Sequence, residues 1–144
     1  MAAGDFLVGY LTTDVRPGEL VTEVRIPGLA PRTGWAILEL ARRHGDFAIV
    51  SVATTVTLDA AGVVKEARLA VGGVGGVPHL AAATSRLVGL RPGPEDLAAL
   101  GSAVAGEVEP ESDAVATAAY RKHLADVLSR RAMMTALQRV EERA

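Results

Sequence analysis

The most charged short stretch of this sequence is LARRHGDFA, which lies between two hydrophobic runs. Its ionisable residues are Arg42, Arg43, His44 and Asp46. Arginine offers paired donors for a carboxylate, a phosphate or a ring oxygen, and histidine exchanges a proton near neutral pH. The same stretch also fits a polar turn between two strands, bent at Gly45, with one arginine paired to Asp46. The four residues are candidate catalytic groups, and a structural turn is the alternative interpretation.

A second candidate is the glycine-rich stretch GGVGG at residues 72–76. Glycine-rich loops between a strand and a helix can hold phosphate with backbone N–H groups. The spacing here matches neither the dinucleotide-binding G-x-G-x-x-G pattern nor the P-loop, and no lysine follows. Close packing of the backbone against a neighbour explains the glycines equally well. Gly73 and Gly75 remain candidates for contact with a flavin or another flat ligand.

A third group of charged residues lies in YRKHLADVLSRRA, at residues 120–132. Its basic members mostly avoid the apolar positions at helical spacing, so a solvated helix face is predicted. These members are Arg121, Lys122, Arg130 and Arg131. No Ser/His/Asp order and no pair of carboxylates stands out elsewhere, so hydrolase chemistry has no positive support.

The residue content argues against several functional classes. Fifteen basic and seventeen acidic residues give a net charge of −2, which argues against a nucleic-acid-binding surface. The absence of cysteine excludes disulfides and Cys-ligated metals, and fits a reducing cytoplasm. The three histidines are far apart in sequence, so no metal site is expected. The N-terminus lacks the basic region of a signal peptide, and no apolar run approaches the roughly 18 residues of a membrane span. We therefore expect a cytoplasmic protein that binds no membrane.

The first half of the chain has the alternation of strands. Residues 1–19 read as an irregular segment, and period-two patterns predict strands at 20–26, 34–41, 48–58 and 63–71. In the third strand Val50, Val52 and Val56 share one face, and in the fourth Val63 is aligned with Leu69. The stretch DAAG is predicted to join these two strands as a hairpin.

The second half has the signals of helices. Pro78 opens a predicted helix that ends near Leu90, and Pro94 opens another that ends near Gly106. Ser112 or Asp113 is predicted to cap a long last helix. The sequence therefore predicts one α+β domain over 20–144: a three- to four-stranded antiparallel sheet (20–74) followed by three helices (78–143) packed on one face.

Four ordered segments resemble a known family. ELVTEVRIP (19–27), GWAILELARRHGDFAIVSVA (34–53), ARLAVGGVGGVP (67–78) and YRKHLADVLSRRA (120–132) are similar to the C-terminal domain of the flavoprotein (medium) subunit of carbon monoxide dehydrogenase and related molybdenum hydroxylases. The resemblance covers about residues 5–141. The chain departs from the family after the glycines, where Val77-Pro78-His79-Leu80 replaces the usual Thr-Pro followed by arginine.

The resemblance implies a small antiparallel sheet packed on three helices, and a role beside FAD. Such a domain forms a wall next to the isoalloxazine ring, whereas most FAD contacts belong to an N-terminal half that this chain lacks. The residues that the resemblance marks as cofactor-binding candidates are Trp35, Arg43, Asp46, Gly73 and Gly75. The implied partners are an FAD-binding domain and iron–sulfur and molybdenum subunits in trans.

Three hypotheses follow. The chain is a flavin-wall domain of a molybdenum-hydroxylase-type oxidoreductase, and it helps to position FAD for electron transfer. Alternatively it is a free-standing domain recruited as a small cyclase- or isomerase-like biosynthetic enzyme, or as a binding module for an apolar metabolite, with Arg42, Arg43, His44 and Asp46 as acid–base or anion-holding groups. The third hypothesis is that the chain is a non-catalytic dimerisation domain. A free-standing chain is expected to form a homodimer that covers the exposed apolar face.

Overall fold

A four-stranded antiparallel sheet is the centre of the fold in the computed structural model, which describes residues 1–142. The strand order is β3-β4-β5-β6. The strands are β3 (Thr33–Leu40), β4 (Val50–Leu58), β5 (Val64–Gly72) and β6 (His79–Leu80). The helices α2 (Pro94–Glu107) and α3 (Ala118–Glu141) follow; α3 packs on β3 and β4, and α2 packs against α3. The predicted α+β class, with helices on one face of an antiparallel sheet, is confirmed.

The alternation of residues in β4 explains its position at the centre of the sheet. Val50, Val52 and Val56 are fully buried beneath the helices, as predicted, and Thr54 joins them on the same face. Thr54 is satisfied there because its hydroxyl donates to the Arg68 carbonyl at 2.7 Å. The core against which these residues pack consists mainly of alanine, valine and leucine. This face of the sheet packs mainly against α3.

The hairpin from β4 to β5 is confirmed, with one correction. The ladder pairs Thr57 with Glu66 and Leu58 with Val64, so β5 has an extra residue at this point. This bulge reverses which side chains face the core, and Val64 is buried where Val63 was predicted. A pattern of period two cannot reveal such a shift, because the bulge is defined by the partner strand.

The predicted strand at 20–26 is wrong. No residue of 1–31, the N-terminal arm, is buried, and residues 14–31 belong to no helix or strand. Val24 and Ile26 leave 79% and 87% of their surfaces exposed. A strand needs a partner strand, and residues 20–26 pair with none within residues 1–142.

Residues 1–19 are more regular than predicted. A short helix, α1 (Ala3–Phe6), leads into a small hairpin of β1 (Leu7–Gly9) and β2 (Thr12–Thr13). The backbone of Asp14 donates to the carbonyl of Phe6 and closes this unit. Hydrogen bonds between near neighbours hold the hairpin, and its sequence lacks the alternation from which strands are predicted.

The helix predicted at 78–90 is also corrected. Its first residues pair with β5 as β6, and a 3₁₀ helix follows at Ala82–Leu87. The carboxylate of Glu107, at the end of α2, accepts hydrogen bonds from the amides of Ala82 and Ala83 at 2.9 and 2.7 Å. Thr84 and Ser85 bond back to carbonyls three residues earlier, which favours the tighter 3₁₀ geometry.

The last helix begins later than predicted. Thr117 is its N-cap, and the Thr117 hydroxyl accepts from the amide of Tyr120. Ser112 and Asp113 act before the helix: Ser112 accepts from the amide of Ala118, and Asp113 accepts from Val115 and Ala116. Both residues therefore organise the turn that leads into α3. Within residues 1–142, no helix is both long enough and apolar enough to cross a membrane.

Candidate functional site

The charged stretch forms the loop between β3 and β4, as the turn interpretation predicts. Gly45 has a φ of 87°, which the bend requires, and the amide of Asp46 donates to the carbonyl of Arg43. Arg43 Nε and Asp46 Oδ2 form an ion pair of 3.1 Å. Arg42 and His44 are exposed on the same loop. The loop is thus a polar turn whose Arg43 and Asp46 are paired with each other, while Arg42 and His44 face outward.

Phe47, the residue that follows this cluster, is not among the predicted site residues. The side chain of Phe47 is completely exposed, although a phenyl ring gains more from burial than most side chains. Phe47 is one of two phenylalanines in a chain with 3% aromatic residues. An aromatic residue in such a poor background, directly after a charged run, was the signal that could have found it.

The glycine stretch reaches the same end of the sheet as this loop. Gly73 has a φ of 81°, and a Cβ at this position would overlap the carbonyl of Ile49. Gly76 faces the backbone of Tyr10 in the small hairpin. The close-packing interpretation therefore explains Gly73. A Cβ at Gly75 would have only Val77 within 4 Å, so this glycine lies at an open position of the loop.

Arg121 is buried, and this corrects the predicted solvated face. Its residue exposure is 8%, and its guanidinium lies between the loop after β3 and the glycine loop after β5. Arg121 Nη1 donates to the carbonyls of Ile49 and Gly73 at 2.6 and 3.0 Å, and Nη2 donates to Asp113 Oδ2 at 2.7 Å. The amides of Ala116 and Val115, together with Arg121, lower the pKa of Asp113 to about 2. Asp113 therefore provides the negative charge that balances the buried arginine.

Trp35 lies away from the loop. It is five residues before Leu40 on β3, which places it about 17 Å from the strand end. Its ring is on the side of the sheet without helices, and the Arg139 guanidinium stacks on it at 4.5 Å from the centroid. Arg139 Nη1 also donates to the Trp35 carbonyl at 2.7 Å. The structure does not bring Trp35 together with Arg43, Asp46 or the glycines.

The uncovered side of the sheet is apolar and shallowly concave. A hollow of about 320 Å³ lies over it. The outward residues that line it include Trp35, Ile37, Ala53, Thr55, Ala70 and Leu80. A second hollow, of about 370 Å³, lies between α2 and α3. Neither hollow is lined by a residue of the loop between β3 and β4.

The histidines lie in separate environments. His79 Nε2 and Glu107 Oε2 are 2.9 Å apart where β6 meets the end of α2. Burial raises the pKa of Glu107, but hydrogen bonds from His79 and the amides of Ala82 and Ala83 outweigh it, so this pKa is lowered overall. Among residues 1–142, no three potential ligand side chains come together as they would around a metal ion.

The residues at the loop end of the sheet can bind a flat group by contact. Phe47 offers an apolar face, Arg42 and His44 offer donors, and the glycine loop allows close approach of a backbone. The fold is a two-layer α+β domain. Two of its surfaces, the loop end and the open sheet, are suited to contact with another molecule. At the loop end, no acid or base of the described residues is enclosed in a cavity.

The chain belongs to the carbon monoxide dehydrogenase flavoprotein C-terminal domain family, whose model matches residues 35–136. It is 33% identical over 136 residues to the 6-hydroxypseudooxynicotine dehydrogenase complex subunit alpha of Paenarthrobacter nicotinovorans, covering 94% of this chain and 46% of that subunit. It is 32% identical over 145 residues to the carbon monoxide dehydrogenase medium chain of Afipia carboxidovorans, covering 98% and 49%. The resemblance noted in the sequence is confirmed.

Solved structures agree with this membership. Quinoline 2-oxidoreductase from Pseudomonas putida 86 matches with a TM-score of 0.86 and 32% identity, over 94% of this chain and 47% of that one. Carbon monoxide dehydrogenase from Hydrogenophaga pseudoflava matches with a TM-score of 0.89 and 30% identity, over 95% and 48%. The chain thus spans about half the length of the relatives that it matches.

Proposed function

We propose that this chain is the flavin-wall part of a molybdenum-hydroxylase-type oxidoreductase, and that it helps to position FAD for electron transfer. Its partners in this role are an FAD-binding polypeptide and iron–sulfur and molybdenum subunits. The observation that carries the proposal is the complete exposure of Phe47 on a loop whose Arg43 and Asp46 are paired with each other. Family membership supports the same role.

The loop-end residues fit one side of a flavin. Phe47 would contact the ring system, Arg42 and His44 would donate hydrogen bonds to its oxygens, and Gly75 would allow the edge of the ring to approach. Gly73 lets the glycine loop pack on the Ile49 carbonyl. A diphosphate does not fit here, because no lysine follows the glycines and the next helix is a six-residue 3₁₀ turn. When bound, FAD supplies the capacity to accept electrons and pass them on.

The other predicted site residues have supporting roles under this proposal. The ion pair of Arg43 and Asp46 holds the shape of the loop that presents Phe47. Trp35 is too distant from the loop to touch the same ring, so we assign it to contact with the partner polypeptide over the open sheet face.

The test supplies in trans the part of a relative that this chain does not match. We would mix this chain with the half of the Afipia carboxidovorans medium chain that has no counterpart in it, and titrate FAD while following flavin fluorescence. The chain is expected to enhance quenching by strengthening the binding of FAD. Phe47→Ala is expected to lower that gain in FAD affinity roughly tenfold, since an aromatic contact of this kind contributes about 1.5 kcal/mol.

Val88→Ala is the matched control. Val88 is an exposed apolar residue at the opposite end of β5, next to the Gly89–Val64 hydrogen bond, and its loss should leave the titration unchanged. Equal titrations for the Phe47→Ala variant and the unchanged chain would count against the flavin-wall role. Weakening by both variants would show that the response reflects folding rather than contact.

The other two functions have different support. A cyclase- or isomerase-like enzyme needs an enclosed acid or base, whereas Arg43 and Asp46 are paired with each other and neither hollow adjoins their loop. No observation favours that function. A dimerisation role is favoured by the open sheet face, where Ile37 and Leu80 are 66% and 68% exposed. We keep the homodimer as a second proposal and test it below.

A further inference from the structure

We infer that Arg121 is a positioning residue that sets the distance between the two loops at the candidate site. These loops are the β3–β4 loop (residues 41–49) and the glycine loop (residues 73–78). The relevance of this spacing to flavin contact rests on the proposed function. The positioning itself rests on the contacts of Arg121 alone.

The ladder between β4 and β5 ends just where Arg121 acts. Ser51 pairs with Gly72 as the last rung of this ladder. Just beyond it, the carbonyls of Ile49 and Gly73 both accept from Arg121 Nη1. One guanidinium nitrogen thus joins two strands at the point where they no longer hydrogen-bond to each other.

The guanidinium is fixed from its other side as well. Asp113 Oδ2 accepts from Nη2, and Asp113 is itself held by the amides of Val115 and Ala116. The backbone of Arg121 lies in the first turn of α3, where its amide donates to the carbonyl of Thr117. Because α3 is packed on the sheet through fully buried residues such as Ala125 and Met133, the helix determines where the guanidinium lies.

A donor with a single nitrogen cannot serve both carbonyls and the Asp113 carboxylate in this way. Lysine concentrates its three donors at one nitrogen, whereas arginine separates its donors across a planar group. Replacing Arg121 by lysine should therefore preserve the charge opposite Asp113 and lose at least one carbonyl. Replacement by methionine removes all three contacts and keeps most of the apolar stem.

The experiment measures loop spacing directly, without flavin. The chain has no cysteine, so His44→Cys with Gly75→Cys places one spin label on each loop. A control pair, Ala60→Cys with Arg91→Cys, labels exposed positions near the opposite end of the sheet. Distance distributions would be compared in the Arg121→Met, Arg121→Lys and Asp113→Asn backgrounds, with Lys122→Met as the matched control because Lys122 forms a more exposed ion pair with Glu109.

We expect the distribution of distances between the two labelled loops to broaden by about twofold in Arg121→Met, and less in Arg121→Lys and Asp113→Asn. The distances of the control pair should be unchanged. Amide exchange at residues 45–50 and 72–75 should accelerate by roughly tenfold or more, with residues 55–66 unaffected. Should Arg121→Met fail to fold, Arg121→Lys and Asp113→Asn decide the question.

An unchanged loop distribution in a folded variant would overturn the inference, and so would equal broadening at both label pairs. Because no flavin is present, this result is independent of the FAD titration. Loss of quenching with normal loop spacing would refute the flavin-wall role and leave Arg121 as a positioning residue.

Discussion

At the scale of single residues, partners decide the role of each charged side chain. Arg121 and Arg131 lie on the same helix, yet one is buried among two carbonyls and a carboxylate and the other is exposed. The spacing of charges along a helix predicts its average polar face. It does not identify an arginine whose two carbonyl acceptors lie in loops 72 and 48 residues away in sequence.

Asp113 makes acid stability a test of this network. Its folded-state pKa of about 2 lies below the usual 3.8, so its contribution to stability is present above pH 4 and is lost as the pH falls toward 2. Asp113→Asn should therefore flatten the fall in the free energy of unfolding between pH 4 and pH 2, as measured by urea denaturation.

The comparison for this experiment is Asp59→Asn. Asp59 also accepts backbone hydrogen bonds, from Ala61 and Val63, but it has no arginine among these partners. Identical acid profiles for Asp113→Asn and the unchanged chain would show that the ion pair with Arg121 does not stabilise the fold.

At the scale of elements, the contact between β3 and α3 determines how closely helix and sheet approach. Gly34 is buried on β3, and a Cβ there would overlap the carbonyl of Ala136 and come within 2.8 Å of Val140 Cγ2. Arg139, on the same helix, passes around the free edge of β3 to the Trp35 carbonyl and ring. A charged side chain that lies across an edge strand hinders the pairing of that edge with another strand. The helix therefore both packs on β3 and protects its edge.

Gly34→Ala is expected to lower the free energy of unfolding by about 2–3 kcal/mol, because the added methyl group meets the backbone of α3. Gly106→Ala is the control, since no atom lies within 4 Å of a Cβ at that helical position. It should be neutral or stabilising by up to about 1 kcal/mol. Chemical denaturation of both variants provides the comparison, and a neutral Gly34→Ala would contradict the close approach.

At the scale of the whole molecule, two apolar surfaces have no cover within residues 1–142. One is the sheet face with Trp35, Ile37 and Leu80, and the other is the N-terminal arm with Leu20 and Ile26. Exposed apolar area of this extent is typical of surfaces that meet another protein. A partner in trans or a second copy would cover the sheet face. The expected cytoplasmic location stays a prediction from residue content.

The homodimer proposal predicts a dimer by light scattering at roughly tens of micromolar, the range in which modest interfaces hold. Ile37→Asp should shift the chain to a monomer, because it places a charge at the centre of the apolar face. Ala98→Asp, at an exposed position of α2 on the helix layer, should not. A monomer of the unchanged chain at this concentration would rule out the second copy and leave the sheet face to a different partner.

The sequence by itself determined the elements whose patterns are local. The β-branched alternation of β4, the hairpin to β5 and the Pro94 start of α2 follow from neighbours within a few residues, and so does the Gly45 turn with its Arg43–Asp46 pair. These features yielded the fold class and located the charged loop.

Only the tertiary structure decided features that depend on a distant partner. The segment at 20–26 has the alternation of a strand but pairs with no other strand in the described part of the chain, while the residues after Pro78 become β6 and a 3₁₀ helix because β5 and Glu107 bind them. Arg121 is buried because the ends of β4 and β5 bring two carbonyls to it. Hydrogen-bond partners far apart in sequence leave no periodic signal, and so the geometry of the candidate site appears only when the chain is folded.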